Sequence, residues 1–215
     1  MKDSAWFVVL SNGIYLLPAS IALYLHVWER AFLFVCIVFI SGFYHVEREW
    51  RYEDTNFSNA LTTQQRLLYD ADNVLSFYLI ATCLTLLARF QRRIYELIGE
   101  LAVLGYSIGI FVWNGEQLPW WLVVASVSPL LLPIGLINLT QHDYTPLHDL
   151  FPTSRIVWLS IGLLWLVGGV VFYILAMPDD NVTLHAIWHL CTGMAASCWL
   201  WTLRSPGFMP ASYTL

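Results

Sequence analysis

The stretch Thr183-Leu-His185-Ala-Ile-Trp-His189-Leu-Cys-Thr-Gly-Met-Ala-Ala-Ser-Cys-Trp-Leu-Trp-Thr-Leu203 is apolar over the length of a bilayer span and carries two histidines near its start. A helix of about 20 such residues crosses a hydrocarbon core. Positions i and i+4 stack on one helical face, so His185 and His189 can present two neutral imidazoles to a single metal ion, the logic the HExxH helix uses for zinc. An isolated His-x-x-x-His is more often a pair of amphipathic residues at a membrane interface. The metal reading therefore requires a third ligand at the same depth.

Composition sets the class of protein. The 215 residues are 58% apolar, 16% aromatic and only 12% charged, with a mean hydropathy of +0.62. That describes a polytopic membrane protein rather than a soluble core. Charges cluster between apolar runs, as expected when a charged side chain at mid-bilayer costs a few kcal/mol or more. A net charge of -5 argues against nucleic acid as a partner. Cys36, Cys83, Cys191 and Cys198 all fall inside apolar runs with no CxxC pairing, and read as small buried hydrophobes.

Seven apolar runs follow in order: Ala5 to His26, Ala31 to Val46, Leu68 to Ala88, Ile94 to Trp113, Leu118 to Leu139, Ile156 to Met177 and Thr183 to Leu203. The expected fold is all-α, a single seven-transmembrane-helix domain over residues 1–215. A cleaved signal peptide competes for the first run, and the start at Met1 favours retention. Seven spans put the termini on opposite sides. Arg30, Arg89, Arg92, Arg93, Arg155 and Arg204 fall on the side of the C-terminus, against Lys2, Arg48, Arg51 and Arg66. This split points to a cytoplasmic C-terminus and a non-cytoplasmic N-terminus. The segment Asn59 to Tyr69 reads as an interfacial helix feeding the third span. Gly105-x-x-x-Gly109 permits close helix contact within the chain.

In this topology three helices bring polar groups to one depth near the outer face. His45 ends the second span, with Ser41 one turn deeper on the same face. His185 and His189 open the seventh. The third opens with Tyr69-Asp70-Ala-Asp72-Asn. Polar groups inside a membrane are costly unless they face one another or a wet cavity. His45, His185 and His189 make a three-histidine zinc site with an open fourth position, the arrangement of catalytic zinc. Water there is acidified to a pKa of about 7. Asp72 is the candidate to orient that water and take its proton, with Asp70 as the rival carboxylate. Ser41 either assists at the reacting oxygens or bonds back to its own helix.

Other clusters have blander readings. His142-Asp143 and His148-Asp149 lie in a loop on the opposite side, Arg92 and Glu96 form an i,i+4 pair, and His26 has no partner at its depth. The sequons at Asn56 and Asn181 face outward in this topology; the one at Asn138 does not.

At the site residues the sequence resembles the CREST superfamily of seven-helix membrane proteins. That group includes alkaline ceramidases, the progestin and adiponectin receptor family, and the transmembrane protein eight and myomaker group. The match is S-x-x-x-H, then D, then H-x-x-x-H. The wording Ser41-Gly-Phe-Tyr-His45, Tyr69-Asp-Ala-Asp72-Asn-Val-Leu-Ser76 and His185-Ala-Ile-Trp-His189 is most similar to the transmembrane protein eight group, some of whose members are A-type phospholipases. The resemblance implies zinc on His45, His185 and His189, with Ser41 and Asp72 completing the site. It runs through all seven helices in order and is specific at these three places.

Two functions follow. The first is a zinc-dependent hydrolase that cuts an acyl amide or ester bond of a membrane lipid, ceramide-like or phospholipid. The other is a non-catalytic zinc protein of the same fold acting as receptor, scaffold or fusogen. Ser41 and Asp72 favour the enzyme, because a purely structural site needs neither. A b-type cytochrome with axial histidines fits poorly with three histidines clustered at one end.

Overall fold

The computed structural model describes residues 3–52, 63–88, 98–102, 104–106, 108–109, 153–176 and 181–202. Among them every regular element is helical. The first apolar run forms α1 (Asp3–Ser11), a 3-10 turn (Asn12–Tyr15) and α2 (Leu16–Tyr24). After a short reversal come α3 (Trp28–Tyr52) and α4 (Thr63–Ala88), and later in the chain α5 (Thr153–Ala176) and α6 (Val182–Trp201).

Three stretches are long and apolar enough to cross a membrane: Trp6–Tyr24, Trp28–Arg48 and Ile156–Ala176, with mean hydropathies of 1.6, 1.5 and 2.3. They coincide with the first, second and sixth expected spans. The third and seventh expected spans are also helical, as α4 and α6. Of the fourth, only residues 98–102, 104–106 and 108–109 are described, all helical. The fifth span, the Arg92–Glu96 pair, the 142–149 loop and the sequons at Asn56 and Asn138 lie outside the described residues. On α5, Leu163, Leu164, Val167, Val171, Ile174 and Leu175 are exposed. Such a face suits lipid better than water.

The chain divides into two compact units, Met1–Asp72 with Arg155–Thr202, and Asn73–Ser154 with Leu203–Leu215. All the candidate site residues belong to the first. In the second, Gly105 and Gly109 are exposed, and among the described residues nothing lies within 4 Å of a Cβ placed at either. The close packing expected of that pair is therefore absent among the described residues. The expected interfacial helix is not a separate element either. Residues 63–69 are the first turns of the 26-residue α4, with no break before the span.

Within the first unit the first and last helices run side by side in the same direction. Ser11 meets His189, Tyr15 meets Thr192 and Tyr24 meets Trp201, so both partners advance together along the chain. A Cβ on Gly193 would come within 2.7 Å of the Ile14 side chain, so glycine there lets the two helices approach. α5 packs on α6 in the opposite sense. Gly162 lies against Trp199 and Ala195, and Gly169 against Cys191 and Trp188. These two glycines are seven residues apart, on one helical face.

Sequence chemistry also sets the helix ends. Pro18 has no N–H to donate to the carbonyl four residues earlier, and the chain tightens into its 3-10 turn one turn ahead of it. α2 ends in a Schellman motif. Val27 N–H donates to Ala22 O at 2.9 Å, and His26 N–H to Leu23 O at 3.0 Å. His26 is the left-handed residue of that motif, with φ 58°, and this backbone role accounts for a histidine that the sequence left without a partner. A side chain in this conformation costs roughly 1–2 kcal/mol, and glycine is exempt. His26→Gly is expected to raise stability by up to about 1 kcal/mol, and Gly193→Val to lower it by about 1–3 kcal/mol through overpacking against Ile14. Thermal unfolding in mild detergent measures both shifts.

Candidate metal centre

His185 and His189 owe their position to the start of α6. The side chain of Asn181 accepts hydrogen bonds from the backbone N–H groups of Thr183 (3.1 Å) and Leu184 (3.2 Å), an N-cap of the favoured type. His185 N–H donates to Asn181 O at 3.0 Å. The helix thus begins one turn before the first histidine. Both rings then share a face, with centroids 4.8 Å apart and planes at 80°.

His45 comes from α3 and closes the triangle. Its ring centroid lies 4.9 Å from that of His185 and 5.2 Å from that of His189. One ligand nitrogen from each of the three rings lies within 4.8 Å of the other two, so the triad is close enough to hold a metal ion. Zinc–nitrogen bonds of about 2.0–2.1 Å require three such nitrogens to converge on one point. His45 is 2% exposed and His189 4%. A ligand set made only of imidazoles suits zinc, copper, iron or nickel better than calcium or magnesium.

Two buried polar atoms of the site have no hydrogen-bond partner among the described residues, His45 Nε2 and Asp72 Oδ1. Leaving such an atom unsatisfied costs about 1–3 kcal/mol, so each asks for an occupant. An unpartnered ring nitrogen beside two other imidazoles is what a metal ion would satisfy. The residues therefore fit the group.

Ser41 lies one turn from His45 on α3 and is also buried. Its hydroxyl hydrogen-bonds the Asp72 carboxyl of α4. Asp72 is within electrostatic reach of Tyr44 and Tyr15, whose rings lie 5.0 Å from His45 and 6.3 Å from His189. The structure thus brings together Ser41, His45, Asp72, His185 and His189, the five residues singled out from the sequence. Asp70 is half-buried and makes contacts of its own. Cys36, Cys191 and Cys198 are free thiols, as their apolar setting implied.

Sequence reasoning missed the surrounding residues. Tyr173 of α5 lies 5.9 Å from His185 and 5.4 Å from Trp188, and Tyr69 packs edge-on to Tyr44 at 5.6 Å. Ser11 reaches His189 Nδ1 at 3.0 Å, and Tyr15 hydroxyl meets Thr192 Oγ1 at 2.7 Å. The available signal was the pair Ser11-Asn12 inside the first apolar run, since polar side chains at that position need a partner.

A family model described as a protein of unknown function, DUF3522, matches residues 4–190, a span that runs from the first helix through both histidines of α6. The chain belongs to this family. Among curated proteins none matches it.

Purified protein is expected to carry about one divalent metal ion per chain, read by elemental analysis. His185→Ala and His189→Ala should each lose it. Without its ion the protein should also melt earlier, because a ligand present at a hundred times its Kd stabilises the folded state by about 2.7 kcal/mol. Undiminished metal in both variants would contradict the triad.

Proposed function

We propose that the protein is a zinc-dependent intramembrane hydrolase that cleaves an acyl amide or ester bond of a membrane lipid, ceramide-like or phospholipid. The observation that carries the reading is the buried Asp72 carboxyl, held by Ser41 and with Oδ1 unpartnered, in a site where three imidazoles converge. A metal site that served only to staple helices would need no such carboxylate. The resemblance to the CREST superfamily supports the same roles for the same five residues, and an exposed apolar surface suits a substrate that arrives from the lipid phase.

In this reading His45, His185 and His189 hold the ion. Bound there, zinc supplies Lewis acidity toward the acyl carbonyl and makes water nucleophilic near neutral pH. Asp72 orients the attacking water and accepts its proton through Oδ1. The water oxygen bonds to the acyl carbon, the carbon–nitrogen or carbon–oxygen bond breaks, and the departing amine or alcohol takes the proton back from Asp72. The products are a fatty acid and the de-acylated lipid. An ionised carboxylate only accepts hydrogen bonds, so the Ser41 hydroxyl is the donor to it. That proton is then not free for the reacting carbonyl. Ser41 is therefore a positioning residue that aims Asp72.

Hydrolysis is followed with ceramide and phospholipid in detergent, alongside zinc content. Asp72→Asn should keep zinc and lose about a hundredfold to ten-thousandfold in rate, as when a positioned general base is removed. Ser41→Ala should lose about tenfold to a hundredfold, and Asp70→Asn should stay near wild type. An inactive Asp70→Asn beside a normal Asp72→Asn would move the base to the other carboxylate. Zinc-loaded wild type that hydrolyses neither lipid class would assign the site to a receptor, scaffold or fusogen instead.

A further inference from the structure

We infer that Ser11, on the first helix and outside the set of five, is a positioning residue that fixes which nitrogen of His189 faces the metal centre; the inference rests on the zinc reading above. Ser11 Oγ lies 2.7 Å from the carbonyl oxygen of Val8 and 3.0 Å from His189 Nδ1. A carbonyl only accepts, so the single hydroxyl proton of Ser11 is committed to Val8. The contact with His189 must then take its proton from the ring, and Nδ1–H donates to Ser11 Oγ. In a neutral imidazole the other nitrogen carries the lone pair. His189 therefore offers Nε2 to the ion.

The local backbone explains why a serine can do this here. Where α1 gives way to the 3-10 turn, the Val8 carbonyl receives the Ser11 hydroxyl and, at 3.1 Å, the Asn12 side-chain amide. Serine and asparagine compete in this way for backbone groups of their own helix. One turn on, Thr192 Oγ1 donates to the carbonyls of Trp188 (3.0 Å) and His189 (3.1 Å), which leaves it to accept from the Tyr15 hydroxyl at 2.7 Å. Two hydroxyl links on successive turns thus pin the first helix to the face of α6 that carries His189. Metal-bound histidines commonly donate their second N–H to a fixed acceptor, which sets tautomer and ring orientation. In this protein a hydroxyl anchored to backbone supplies that acceptor.

Zinc affinity is measured by chelator competition in detergent for wild type, Ser11→Ala and Ser20→Ala. Ser20 is an exposed serine bonded to Leu16 O at 2.8 Å, so its loss controls for removing a hydroxyl from the same segment. Nitrogen NMR of isotope-labelled histidine reads the His189 tautomer in metal-free and zinc-loaded protein. Ser11→Ala should weaken zinc binding by about tenfold to a hundredfold and leave the metal-free His189 ring as a mixture of tautomers. Ser20→Ala should match wild type. In wild type Nδ1 should carry the proton before and after zinc is added, a result that stands even if Ser11→Ala does not fold. Equal affinity in wild type and Ser11→Ala, or zinc on Nδ1, overturns the inference alone; wild type that binds no zinc overturns the metal centre and the inference with it.

Discussion

Three imidazoles and a carboxylate buried among apolar helices are expensive unless something satisfies them, and the first unit is arranged around meeting that cost. Within the site two buried polar atoms have no partner among the described residues. Ser41 occupies one side of Asp72, and Ser11 occupies the outer nitrogen of His189. His45 Nε2 and Asp72 Oδ1 are left over. A buried polar atom without a partner is destabilising by itself. At His45 Nε2 that atom sits in a triad of imidazoles close enough to bind a metal ion.

The packing of the helices follows from the same centre. His45, the pair on α6 and Asp72 come from three helices, so the distances among them depend on how closely those helices and their neighbours approach. Gly193 admits Ile14, and Gly162 and Gly169 admit the side chains of Trp199 and Trp188. At these positions an added Cβ would meet the neighbouring element at 2.5–2.9 Å. Asn181 and the turn at His26 act at helix ends, where they fix the register of α6 and the reversal into α3.

Much of this was legible in the residues. Helical periodicity put His185 and His189 on one face, and the order of apolar runs brought His45 and Asp72 toward them. These are short-range patterns, and three stretches have the length and hydropathy to cross a membrane. Ser11 was not legible in the same way. Its partner is 178 residues distant, and no periodicity in the first run marks which face meets the last helix. The aromatic residues Tyr44, Tyr69 and Tyr173 were hidden for a different reason: in a chain with 16% aromatic residues, a tyrosine in an apolar run carries little information until its neighbours are known. Gly105 and Gly109 form a short motif whose spacing allows close packing that the described residues do not display.

The central claim is that three imidazoles share one metal ion and leave a position open, and X-ray absorption at the zinc edge of the purified, zinc-loaded protein tests it most directly. The account predicts a first shell of three histidine nitrogens and one or two oxygen ligands at about 2.0–2.2 Å, with no sulfur near 2.3 Å. A shell with thiolate sulfur, or one with fewer than three histidine nitrogens, would contradict it.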